Sequence, residues 1–251
     1  MLGRLYNSFV MALGMFTRIP APTADFSKGT NGMMAAFPFV GLLLGLLWWG
    51  MAYLAAAILI PTTLAGAIIG VYPFLITGFL HLDGFMDVSD AILSRRPLEE
   101  RLRILKDPHT GAFAVCSLGM LLVLFIAACI ELADSAYIGA LVFIPVLSRV
   151  FSAIGVLTQQ PLPTSSLAKS FKAGANRSEL MLVILAGCCA VASMTWLYRW
   201  QGLLTISVMG IVQLLATLHC RRQLGGFSGD VAGYMLCLGE LAAVISLALW
   251  R

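Results

Sequence analysis

Three aspartates, Asp83, Asp87 and Asp90, stand in the stretch HLDGFMDVSDAILSRR (81–96) at intervals of four and three residues. On a helix those intervals carry all three carboxylates to one face. Like charges four apart destabilise a helix by roughly 0.2–0.5 kcal/mol in water, and by more where the effective dielectric falls. The stripe therefore calls for a bound cation. Magnesium or manganese takes carboxylate oxygens and keeps positions open for substrate phosphates, so one reading of the pattern is a metal site. The alternative is three solvated acids at the head of the following segment, paired with Arg95 or Arg96.

Other residues join them as candidates. His81 precedes Asp83 by two positions, which puts it on the opposite side of a continuous helix; a break at Gly84 would turn it toward the acids. Asp107 lies in LKDPHTGAFAV, either a plain turn before an apolar run or a helix entrance whose free N–H groups hold an anion. Asp230, in GGFSGDVAG, reads as the N-cap of the last apolar run; the glycines before it suit a phosphate cradle, although GxxxxGK[ST] is absent. Arg149 and Glu240 fall within apolar runs, each ~12–15 Å from the nearer end at 1.5 Å per residue. Ionisable groups at that depth pair with one another or mark a functional cavity, and these two are expected to face a polar cavity beneath the aspartates. Snorkelling of Arg149 is the competing account.

The elements that position these residues are membrane-spanning helices. Of 251 residues, 60% are hydrophobic and 11% charged, against about 45–50% and 25% in soluble domains. Nearly uncharged runs cover about 35–60, 64–82, 113–130, 137–157, 180–198, 203–219 and 231–249. Each is close to the ~20 residues a helix needs to cross hydrocarbon. The expected fold is an all-α polytopic helical bundle of about seven transmembrane helices in one membrane domain, 1–251. Its bundle is 35–249, preceded by an N-terminal interfacial or cytoplasmic segment, 1–34. That segment's early apolar stretch lacks a small-residue cleavage site and reads as an interfacial helix. Cations collect in alternate loops: Arg4, Arg18 and Lys28; Arg95, Arg96, Arg101, Arg103 and Lys106; Lys169, Lys172 and Arg177; Arg221 and Arg222. The intervening loops hold only Glu131, Asp134 and Arg199. The cation-rich loops, and with them the N-terminus and the aspartates, are therefore expected in the cytoplasm. A net charge of +4 spread over short loops excludes a nucleic-acid arm. Six cysteines without CxxC spacing give neither a disulfide framework nor a zinc site. Gly41 with Gly45, and Gly66 with Gly70, read as close helix packing.

FTRIPAP (16–22), FPFVGLLLG (37–45), GFLHLDGFMDVSDA (78–91), RILKDPHTGAFA (103–114), PVLSR (145–149), LGGFSGDVAG (224–233) and GE (239–240) occur in an order that resembles the cobalamin synthase family, whose members are adenosylcobinamide-GDP ribazoletransferases. The resemblance spans nearly the whole chain, and HLDGxxDxxDA is its most specific block. It implies a multi-pass enzyme of the bacterial inner membrane that joins adenosylcobinamide-GDP to α-ribazole or its 5′-phosphate, releases GMP and requires magnesium. On that basis Asp83, Asp87 and Asp90 hold the metal and supply catalysis. His81 borders the substrate, Arg18, Arg149 and Lys169 are candidates for phosphate contacts, and Asp107, Asp230 and Glu240 for a second metal or substrate positioning. SSLAKSF (165–171) departs from the family's glycine-containing segment there, which leaves that loop's role open. Homo-oligomerisation is not decided by sequence. Two rivals are weighed. A transporter would use Arg149 and Glu240 as pathway lining, but the acids gather toward one face and no inverted symmetry is apparent. A CDP-alcohol phosphotransferase would show DGxxAR, whereas Asp83-Gly84 is followed by Phe85, Met86, Asp87 and Val88.

Overall fold

The computed structural model describes residues 2–23, 31–163 and 165–250; Lys28 lies outside them. Among the described residues ten α-helices follow one another: α1 (Leu2–Phe16), α2 (Met33–Ala57), α3 (Thr62–Ile76), α4 (Leu80–Leu93), α5 (Leu98–Ile104), α6 (Ala112–Leu132), α7 (Ile144–Thr158), α8 (Ser166–Gly174), α9 (Arg177–Leu224) and α10 (Gly229–Ala248). A 3-10 turn, Ile138–Val142, leads into α7. Among the described residues the only β pairing is one isolated bridge, Pro161 with Phe227. The long helices are apolar on every side, which is the pattern of a membrane span rather than of a half-wetted helix. Leu182, Leu185, Trp196, Ile211, Leu214 and Leu215 of α9 all point outward.

Among the described residues five helices are long and apolar enough to cross a membrane, and up to six with the bent pair α3–α4 counted as one span. The 48 residues of α9, too long for one crossing, would reach about 72 Å if straight. Its backbone leaves the helical region at Arg199 (φ 54°, ψ −137°). Gly187, before that point, packs on Val150, and Gly210, after it, packs on Phe151. Two positions at nearly equal distance from Arg199 thus meet adjacent residues of α7, so the chain doubles back into arms 177–198 and 200–224. This is the division that the sequence draws between its fifth and sixth runs.

The expected second span ends early. Gly78 (φ 60°) and Phe79 (φ 63°) adopt left-handed backbone, and α4 leaves α3 at 87°. The break lies there and not at Gly84, which is continuous with α4 and presses against the Asp230 backbone, with room for a Cβ only 2.8 Å from the Asp230 Cα. Glycine is required at that approach.

The paired glycines do what close packing predicts. Gly41 and Gly45 lie on the Pro145 and Val142 carbonyls, and Gly66 and Gly70 on Ile130 and Ile126 of α6. At one end of the bundle the segments after α4, α7 and α9 are tied together. Arg101 Nη1 donates to the Gln223 carbonyl at 3.1 Å, and the Leu162 N–H donates to the Phe227 carbonyl at 2.8 Å. At the other end the Thr62 hydroxyl donates to Asp134 at 2.7 Å. Helix α1 lays Val10, Met11, Leu13 and Phe16 against this body. All six cysteines are free thiols.

Candidate active site

The perpendicular turn at Gly78–Phe79 carries the aspartate stripe across the tied end of the bundle. There α4 packs on α10 through Gly84 and Gly233, and a Cβ on Gly233 would stand 2.8 Å from the His81 carbonyl. This contact brings a fourth carboxylate, Asp230 of α10, to the other three. Asp83, Asp230 and Asp90 all act on Asp87 electrostatically, and among the described residues none of the four forms an ion pair. The alternative pairing with Arg95 or Arg96 does not occur among the described residues; Arg95 has turned into left-handed backbone past the helix end.

The four are not equivalent. The Asp90 carboxylate occupies the space that a side chain on Gly111 would need, so it is set against the entrance of α6, where free N–H groups favour a negative charge. Asp83 is exposed, while Asp87 and Asp230 are half-buried. Asp230 is not the N-cap that its position suggests. Ser228 caps α10, accepting from the Val231 N–H at 3.2 Å, and donates to Asp230 Oδ2 at 3.2 Å. Relieved of capping, the Asp230 carboxylate is available to the cluster.

Beside Asp83 and Asp230 opens a cavity of about 150 Å³, walled by α1, α2, α4, α7, α8 and α10. Although roughly opposite on the helix, His81 and Asp83 both border it, because the cavity wraps the start of α4. His81 is 8% exposed, and its Nε2 has no hydrogen-bond partner. Phe16, Phe37 and Phe171, which composition gave no reason to single out, form the walls with Met15 and Met34.

Arg149 and Glu240 meet, but not in a polar cavity. Arg149 Nη1 donates to Glu240 Oε1 at 2.7 Å, with both side chains enclosed, and Ser148 Oγ donates to the same oxygen at 2.7 Å. The guanidinium lies 5.8 Å from the Phe37 ring centroid, one layer behind the cavity wall. The remaining candidates, Arg18, Lys169 and Asp107, do not line that cavity. The Arg18 side chain lies on Gly78 at the bend, and the Arg18 backbone N–H donates to the Ile76 carbonyl at 2.8 Å. Lys169 Nζ donates to the Pro163 carbonyl at 2.6 Å, bracing the loop before α8. Asp107, exposed, accepts from the His109 N–H at 2.9 Å and faces its ring Nδ1 at 2.6 Å. Those contacts hold its carboxyl below the usual carboxylate range and make it the organiser of the turn leading to Gly111. One buried acid escaped the sequence reading. Glu179 accepts from the Met34 and Ala35 N–H groups at 3.0 and 3.3 Å, serving the free donors at the start of α2.

Among the described residues no three histidine, cysteine or acidic side chains converge tightly enough to cage an ion alone. Magnesium is usually held by one or two carboxylates with substrate phosphates and water completing its shell. Four hard oxygen donors without a counter-cation suit that mode of binding.

The chain matches the family model described as cobalamin-5-phosphate synthase over residues 8–248. A Clostridium perfringens relative named adenosylcobinamide-GDP ribazoletransferase is 38% identical over 97% of this chain and 98% of its own. A Clostridium botulinum relative of the same name is 37% identical over 98% of both chains, and one from Shewanella frigidimarina is 29% identical over 96% and 94%. No solved structure matches. With the acids of HLDGxxDxxDA gathered against GGFSGDVAG and likeness extending along almost its full length, the chain belongs to the cobalamin-5-phosphate synthase family.

Proposed function

We propose that the protein transfers the adenosylcobinamide-phosphate group of adenosylcobinamide-GDP to α-ribazole, or to α-ribazole 5′-phosphate, with release of GMP. The observation that carries this reading is the cluster of four carboxylates, without an ion pair among the described residues, of which Asp83 and Asp230 border an apolar cavity, in a chain of this family. A ribose hydroxyl of the acceptor attacks the phosphorus bonded to cobinamide, the P–O bond to GMP breaks, and GMP departs as the anion. The hydroxyl proton passes to a carboxylate within hydrogen-bond reach; Asp83 and Asp230 border the cavity from which the acceptor would present that hydroxyl. Asp83, Asp87 and Asp230, with Asp90 behind them, would hold magnesium, which when bound neutralises and aligns the diphosphate. Beyond that, the protein's task is to fix the two substrates in line and keep their approach free of like charge.

The site is assigned to the cytoplasmic face of the inner membrane, with the N-terminus inside. The support is charge: Arg101, Lys169, Arg221 and their neighbours lie on the segments flanking the acids, whereas the loops at the other end carry Glu131, Asp134 and Arg199. Incubating the purified protein with adenosylcobinamide-GDP, α-ribazole and magnesium tests the activity. Stoichiometric GMP release is expected, and none from folded protein would refute the assignment. For orientation, a single cysteine placed at exposed Glu99 in a cysteine-free variant should resist an impermeant maleimide in intact cells.

A further inference from the structure

The cavity behind the carboxylates has a chemistry of its own. Its volume, about 150 Å³, is that of an engineered protein cavity known to take benzene. It is not sealed, since Asp83 and Gly229 at its mouth are exposed, so a flat ring system longer than benzene can enter with a substituent left outside. The walls suit such a ring. Phe16 and Phe37 lie 4.3 Å apart between centroids, His81 stacks on Phe16 at 6.3 Å and 19°, and Met15 and Met34 add polarisable surface. Apart from Asp83 and Asp230 at the mouth, the polar side chains of the lining are Ser152 and His81, and His81 Nε2 is buried without a partner. A buried ring nitrogen left unpaired in a native fold calls for a ligand atom to meet it.

We propose that this cavity seats the base of the acceptor: the dimethylbenzimidazole of α-ribazole enters it, its free ring nitrogen paired with His81 Nε2, and its ribose is thereby held at Asp83 and Asp230. The assignment rests on the ribazole-transfer reading and extends it by naming the subsite. Polarity decides between the rings that the two substrates bring. Guanine and adenine carry several donors and acceptors each, most of which would be stripped of water here and left unmatched. The substituted benzimidazole offers two methyl groups and one ring acceptor, and so leaves nothing unpaired. The corrin ring is far too large for the space. His81 is on this account a binding residue that fixes the base, and through it the attacking hydroxyl, while the proton transfer stays with the carboxylates.

The test measures binding of free 5,6-dimethylbenzimidazole to the full chain in nanodiscs by equilibrium dialysis, alongside turnover. The wild type should bind the base, and guanosine should not displace it. His81→Leu, which keeps the apolar shape, should weaken binding roughly tenfold or more, the loss of one buried hydrogen bond. Ala168→Phe, which fills the cavity from α8, should abolish it. In turnover the KM for α-ribazole should rise in His81→Leu while that for adenosylcobinamide-GDP stays put. Unchanged binding in His81→Leu, displacement by guanosine, or a rise confined to the KM of adenosylcobinamide-GDP would overturn the proposal. GMP release by a wild type that fails to bind the base defeats the subsite alone. Absence of GMP release defeats the transfer reading, and the dialysis result still decides whether the cavity accepts a benzimidazole.

Discussion

Glu240→Leu and Arg149→Met should destabilise the bundle unequally, and the double variant should recover most of the loss. The two side chains meet at 2.7 Å and are 4% and 2% exposed, so neither charge can turn to water when its partner is removed. Losing one member of a buried pair costs about 3–5 kcal/mol. In Glu240→Leu the guanidinium keeps only Ser148 Oγ at 2.9 Å and the Pro145 carbonyl at 3.3 Å; it cannot shed its proton, so this variant falls at the upper end. In Arg149→Met the carboxyl retains the Ser148 hydroxyl at 2.7 Å and can take up a proton, which places it near or below the lower end. The double variant replaces both by apolar groups of similar bulk, for which the expected net change is small. Equilibrium unfolding in mixed detergent micelles reads all four free energies as a double-mutant cycle. Coupling below about 1 kcal/mol, the scale of an exposed pair, would refute this account of the pair as a buried, mutually dependent unit. Turnover adds a second readout. As a brace behind the cavity wall, the pair predicts GMP release within about tenfold of wild type in the double variant, equivalent to 1.4 kcal/mol; a dead but stable double variant would instead assign Arg149 to the phosphates.

The acids should show the opposite exchange of stability for function. Asp87→Asn relieves repulsion from Asp83, Asp230 and Asp90 and is expected to raise the unfolding midpoint while lowering turnover by about 100-fold or more; a lowered midpoint would contradict the reading of an unpaired cluster. Adding magnesium should raise the wild-type midpoint, with a smaller rise in Asp83→Asn, measurable by thermal unfolding with and without chelator. Gly233→Ala drives a methyl to 2.8 Å from the His81 carbonyl and should cost about 1–3 kcal/mol by prising α4 from α10, read from the same micelle unfolding. Ser228→Ala removes the cap of α10, a loss of about 1 kcal/mol, and also the hydroxyl donated to Asp230.

Features set by local pattern were legible in the sequence. Uncharged runs mark the long apolar helices, down to the turn at Arg199 that divides α9, because hydrocarbon admits almost nothing but uninterrupted apolar helix. The glycine pairs and the shared face of Asp83, Asp87 and Asp90 follow from helical periodicity alone. What escaped depends on tertiary register. The break after Ile76 sits in an apolar run where Gly78 is one glycine among many, and nothing local separates it from Gly84. Ser228 and Asp230 are both good capping residues two positions apart; the choice is made by Phe227, whose backbone is clipped to Gln160 and Leu162. Arg149 and Glu240 are 91 positions apart, so their depth could suggest pairing without establishing it. The cavity was invisible because its walls come from six helices, and Glu179 because its partners lie 144 and 145 positions away at the start of α2.

The bend between α3 and α4 explains how a membrane bundle accommodates four acids that have no ion-pair partner among the described residues. Had α4 continued straight, Asp90 would stand about 21 Å beyond Ile76 at 1.5 Å per residue, in water and remote from every other candidate. Turned through 87°, the same helix lies across the tied end of the bundle, its Gly84 face on α10 and its acids toward Asp230 and the α6 entrance. The turn therefore does two things at once: it keeps the carboxylates at the bundle end, where their charge can be solvated or metal-bound, and it opens the apolar cavity beside them. An acceptor with a greasy flat base and a hydroxylated sugar needs both environments within one molecule's length. Among the described residues, the start of α4 is the place where an apolar cavity and the acid cluster touch.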